Sequence, residues 1–281
     1  MGLRRSIDGM GRFLGLLALA LMSSCSVDSA KNHYLLAEKL WDDGKYSASV
    51  AEFEKVMTKD PKGQLGLQAT YRAAMTQKLF LKEFGSAIQK FQSFSEGSSD
   101  EPLVWEAQLQ IGDILYFNSE QYDQAIAHYQ GLLKSHPKTL NAPDFLFRIG
   151  KSHFFLLQFQ KAIAVFEDLV KTYPQSVWAE KAAFELGAAY FSRAAQHSEA
   201  HASRAAYFKS ALEAYERFIR SYPKSEWVSE ARFGVASCLE ELGQMEKAYA
   251  HYLALKDIYP AKNVIEIKLI RIRERMAQKK R

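Results

Sequence analysis

The chain has 281 residues, 48% of them hydrophobic, with 37 Lys and Arg against 32 Asp and Glu and two cysteines. That composition supplies a core for one or two domains and excludes a disulfide-stapled fold, since two cysteines form at most one bridge. Residues 1–24 carry Arg4, Arg5, Arg12 and Asp8; without them the balance is 34 basic to 31 acidic and no basic face stands out in the body, so no nucleic-acid partner is expected.

Arg4, Arg5 and Arg12, an apolar run from Phe13 to Met22 and then Ser23-Ser24 have the layout of a secretory signal. The run falls short of the roughly 20 apolar residues that cross a bilayer. Cys25 follows directly, and the stretch resembles the bacterial lipoprotein signal, which places the signal peptide at 1–24 and a lipidated tether at 25–31. The resemblance implies a lipid on Cys25, and Ser26 in place of aspartate implies outer-membrane retention on the periplasmic face. Acyl chains hold by about 0.8 kcal/mol per buried methylene, so the three chains implied anchor essentially permanently. Cys238 is then the one cysteine left; among Val235, Ala236 and Leu239 it is expected to be a small buried residue rather than a reactive thiol.

From residue 32 to Pro260 the chain repeats one unit, shown most regularly by Phe145–Ser176. Ile149-Gly150 lies on a first helix; a turn near Gln158 and Gln160 follows; Ala162, Ile163, Phe166, Leu169 and Val170 then recur at helical spacing before Pro174. Stop prolines are expected at Pro61, Pro102, Pro137, Pro174, Pro223 and Pro260. A small residue early in each second helix (Ser49, Ala87, Ala125, Ala162, Ala211, Ala248) precedes by four a large one (Phe53, Phe91, Tyr129, Phe166, Tyr215, Tyr252). This pattern resembles the tetratricopeptide repeat, a helix-turn-helix unit of about 34 residues. The expected fold is therefore all-α, an α-solenoid of about six helix pairs in which the small residue lets two helices approach and the aromatic fills the seam.

Taken in order, the first repeat has Leu36, Ala37 and Leu40 as its inner face and Gly44 at its turn, and the second uses Tyr71, Ala74 and Leu79. Glu96–Glu101 reads as a loop, the third repeat carries one extra residue before Tyr122, and Asn141-Ala142-Pro143 opens the fourth. The fifth is expanded at about 192–208, read as lengthened helices around a turn near His197–His201; these two histidines do not complete a zinc site, so no metal or other cofactor is expected. Residues 261–281 are expected to form a basic capping helix through Ile265, Leu269, Ile272 and Met276.

No GxSxG, phosphate-binding glycine loop, CxxC or HExxH is present, so the expectation is a non-catalytic protein. Carrying over the groove-facing places of the repeat family gives Tyr34, Trp41, Phe80, Leu109, Tyr116, Phe117, Phe147, Lys151, Phe154, Phe155, Phe184, Phe191 and Phe233. The run from Tyr116 to Phe191 is the expected partner-binding groove, suited to an extended or helical peptide. Tyr173-Pro174-Gln175-Ser176, Tyr222-Pro223-Lys224-Ser225 and the segment from Ser203 to Trp227 resemble the BamD-like outer-membrane assembly lipoproteins, although four repeats precede the insertion here and only one follows. The resemblance implies a scaffold for protein partners, β-barrel assembly components or precursors. Other readings stay open: an envelope or division factor similar to CpoB, a pilotin, and a glycan-binding accessory subunit of an envelope enzyme.

Overall fold

The computed structural model describes residues 28–196 and 201–279, all of whose regular elements are helical. Cys25 and the rest of the segment before residue 28, and residues 197–200 of the expected turn including His197, lie outside the described residues. The chain divides at Glu120–Gln121 into two compact units. The first holds α1 (residues 28–42), α2 (Tyr46–Lys59), α3 (Gln64–Thr76), α4 (Phe84–Gly97) and α5 (Glu101–Asp113). The second holds α6 (Tyr122–Ser135), α7 (Ala142–Phe155), α8 (Phe159–Thr172), α9 (Val177–Gln196), α10 (His201–Ser221), α11 (Val228–Glu241), α12 (Met245–Leu255) and α13 (Lys262–Lys279). Within each unit, helices adjacent in sequence pack together, and in the second unit α7 also meets α9 and α9 meets α11. In chain order the described residues hold thirteen α-helices.

The repeat signature maps onto the core. Ala87, Ala125, Ala162, Ala211 and Ala248 are fully buried, as are Phe53, Phe91, Phe166 and Tyr252. Ser49 takes the small position at no polar cost because its hydroxyl donates to the Ala37 carbonyl at 2.7 Å. Close approach is most evident at Tyr215: a methyl added to Gly187 would lie 2.4 Å from its ring, and one added to Gly234 would lie 2.5 Å from it. The ring is thus gripped between α9 and α11 by residues without side chains. Gly150 does the same for Phe166. Cys238 is fully buried in this packing, and burial pushes its thiol up to about 12, which removes it as a nucleophile.

The turns inside the pairs share one device. Gly44, Lys82, Glu120, Leu157 and Gly243 all adopt positive φ, so five of the first helices are followed by a left-handed residue. At the α7–α8 turn, Gln158 N–H donates to His153 C=O and Leu157 N–H to Phe154 C=O, both at 2.9 Å. The extra residue before Tyr122 is absorbed as a π turn at Ile114–Asn118, and a second π turn occupies Gln77–Leu81.

Several boundaries differ from expectation. Helix is present from residue 28, inside the expected tether. Glu96 and Gly97 belong to α4, so only residues 98–100 connect α4 to α5. Pro102 is no stop: it sits in the first turn of α5, where its missing N–H costs nothing, behind an Asp100 side chain that accepts from Leu103 N–H at 3.2 Å. Helix α12 closes at Leu255, five residues before Pro260. Leu36 and Leu79 are 44% and 55% exposed rather than inward, Leu79 because the π turn rotates its stretch off the α-helical register. In the fifth pair α9 and α10 run to 20 and 21 residues, against 13 or 14 in the helices from α2 to α8.

Helix α13 buries Ile265, Leu269 and Ile272 in the cluster built by α10, α11 and α12, with Met276 against it. An ionic clasp fixes it. Glu240 of α11, 8% exposed, accepts from Lys268 Nζ at 2.8 Å and Arg275 Nη1 at 3.2 Å, and from the Tyr252 hydroxyl at 3.2 Å.

Candidate functional site

Aromatic residues gather where first helices end. In the first unit Trp41 of α1, Tyr46 of α2 and Phe80 of the π turn form one stack: Tyr46 and Phe80 lie 4.0 Å apart and nearly parallel, and Trp41 meets Phe80 edge-on at 5.6 Å. The Arg72 guanidinium covers the Trp41 ring at 5.4 Å and pairs with Glu38. Phe80 remains 42% exposed. Further on, Tyr116 and Phe117 meet edge-on at 4.7 Å, and Phe117 is 61% exposed.

The second unit repeats the arrangement. Tyr122, first residue of α6, faces Phe155, last residue of α7, at 4.8 Å, which is the relation Tyr46 has to Phe80 one pair later. Phe154 meets Phe159 edge-on at 5.2 Å, and Phe155 is 45% exposed. Lys151 sits behind them. Its ammonium lies 5.1 Å and 5.0 Å from the rings of Phe154 and Phe155 and 2.8 Å from Glu185 Oε1 on α9. It is therefore engaged as a brace between α7 and α9, not held out as a free cation. Beneath, burial keeps His153 below the ordinary histidine pKa, with Gln158 Oε1 2.9 Å from its Nδ1.

The eight expected groove residues thus separate by role. Tyr116 and Phe117 stand in the first unit, the other six in the second. Phe147 packs on Phe166 and Trp178. Phe184 lies among Tyr215, Phe218 and Trp227, and Phe191 meets Phe208 at 5.1 Å. These three seal helix seams. Phe117 and Phe155 keep exposed faces, with Tyr116, Lys151 and Phe154 supporting them. Trp41 and Phe80 were expected in the groove, while Tyr46 and Tyr122 were missed; their signal was an aromatic at the first position of α2, α4, α6 and α8. The described residues contain no group of three or more His, Cys, Asp or Glu able to hold a metal ion, and no helix among them is long and apolar enough to cross a membrane.

The signature of the YfiO family, outer membrane lipoproteins, matches residues 117–267, more than half of the chain. The chain belongs to the YfiO family. No individual curated protein matches it. Among solved structures, this YfiO-family chain resembles the C-terminal part of a tetratricopeptide-repeat protein from Cytophaga hutchinsonii, with TM-score 0.59, 14% identity and coverage of 86% of this chain and 88% of that one. The complex of Naa15/Naa10 bound to HypK-THB contains a chain matched at TM-score 0.62 and 17% identity; the match covers 92% of the YfiO-family chain but 36% of the other, so only the repeat fold is shared. The type IV pilus biogenesis factor PilW is matched at TM-score 0.49 and 16% identity, over 86% of this chain and 97% of that one.

Proposed function

We propose that the protein is a non-catalytic scaffold, held at the outer membrane through lipid on Cys25, whose first-helix aromatics capture segments of partner polypeptides in the periplasm. One observation carries the reading: Phe80, Phe117 and Phe155, each in the last turn of a first helix, are 42%, 61% and 45% exposed although every neighbouring aromatic is packed. Such exposure gains nothing for the folded chain itself, whereas covering the open half of each ring would contribute about 1 kcal/mol. A rigid ring edge backed by stacked aromatics suits an apolar stripe on an extended or helical segment. Membership of the YfiO family favours partners from outer-membrane β-barrel assembly or its precursors, which the family resemblance implied at the outset.

One fractionation experiment tests both halves. Envelopes from cells carrying the wild-type chain should retain it in the membrane fraction and yield barrel-assembly subunits on co-purification in detergent. Cys25→Ala should move the chain to the soluble periplasm, and Phe117→Ala with Phe155→Ala should leave it in the membrane but deplete the co-purified partners by about tenfold. Membrane retention of Cys25→Ala would overturn the anchor; undiminished capture by the double variant would overturn the aromatic site. Recovery of pilus or division proteins instead would reassign the partner.

A further inference from the structure

We propose that a surface pocket formed by α10, α11 and α12 receives an acidic side chain and its apolar neighbour from a partner polypeptide. The pocket encloses about 410 Å³ and shares no residue with the aromatic clusters described above. Its floor is apolar: Ile219 of α10, Val235 of α11, and Ala254 and Leu255 of α12. Its remaining lining is Arg220, Arg232, His251 and Glu216.

Charge decides the ligand class. Arg220 reaches its one carboxylate, Glu216, only at 3.8 Å, a distance that leaves guanidinium donors free. No hydrogen bond or ion pair engages Arg232 or His251 among the described residues. Arg220 also lies in the last turn of α10, where the helix end already favours a cation and so keeps it in place. Two guanidinium groups lining one cavity match a carboxylate, which accepts two parallel N–H bonds from one fork and a further bond from the other. The apolar floor adds what an inorganic anion cannot use. A cavity of this size, open to solvent, fits two adjacent side chains of a chain lying across it rather than an enclosed metabolite.

The test uses isothermal titration of the full chain in neutral detergent with acetyl-Gly-Leu-Asp-Gly-amide, its Leu-Asn analogue and sodium phosphate. The aspartate peptide should bind about tenfold tighter than the asparagine analogue, and Arg220→Glu with Arg232→Glu should remove that advantage while the thermal melt stays unchanged. The milder Arg232→Gln, which cannot repel the ligand, should weaken binding by a smaller factor. Equal binding of the two peptides, or no heat from either, overturns the proposal. Phosphate binding as tight as the aspartate peptide overturns it in favour of a free-anion site. None of these outcomes bears on Phe117 and Phe155, whose own test reads different residues.

Discussion

Tyr215 shows at single-residue scale how the repeat works. The residue is 7% exposed because Gly187 and Gly234 bring two helix backbones against the two edges of its ring. Adding one methyl must push either the ring or a helix away, since close-packed interiors have no slack to absorb it. Gly234→Ala should therefore destabilise the protein by about 1–3 kcal/mol, read as a lowered urea midpoint with unchanged far-UV signal at zero denaturant. Retained stability would mean that the seam is looser than the packing implies. Such positions were readable from sequence because side-chain volume alone fixes them: the small and large places recurred at a fixed spacing of four, and all twelve are buried. Lys151 was expected to line the groove; its pairing with Glu185 was not legible, because that partner comes from a different helix 34 residues away.

At the scale of elements, periodicity announced the helices and left their ends unspecified. The extra residue before Tyr122 was visible, while its form, a π turn, depends on keeping the buried faces of Ile111 and Ile114 inward across the insertion. Leu79 was assigned inward for the same reason, by extending an α-helical period through a stretch that departs from it. Pro102 read as a stop because prolines punctuate the other repeats, yet proline is equally at home in a first turn. The last helix followed its sequence stripe well, and the Glu240 clasp adds what the stripe could not show. Glu240→Ala leaves Lys268 and Arg275 facing a buried site without their acceptor. Both cations can turn partly to solvent, with 26% and 58% of their side chains exposed, so the cost should be about 1–2 kcal/mol rather than that of a fully buried pair. Hydrogen exchange should show faster exchange confined to α13; uniform exchange across α10–α12 as well would mean that the clasp supports the whole unit.

At the scale of the whole molecule, the repeats pack their interior and leave several aromatic rings open at the surface. The small and aromatic positions of the repeat are buried in the core, whereas Phe80, Phe117 and Phe155 at first-helix ends keep open faces, and these are the faces proposed for partner capture. The chain belongs to a family of outer membrane lipoproteins; that the exposed rings meet the partner is the proposal to be tested. Site-specific photo-crosslinking in living cells addresses that claim most directly. A benzophenone amino acid placed at Phe117 or Phe155 should give adducts to polypeptide partners, while the same probe at Leu140, which is 97% exposed in the α6–α7 connection, should give few. Adducts at Leu140 equal to those at Phe117 and Phe155, or none at the two phenylalanines, would contradict the exposed rings as partner contacts.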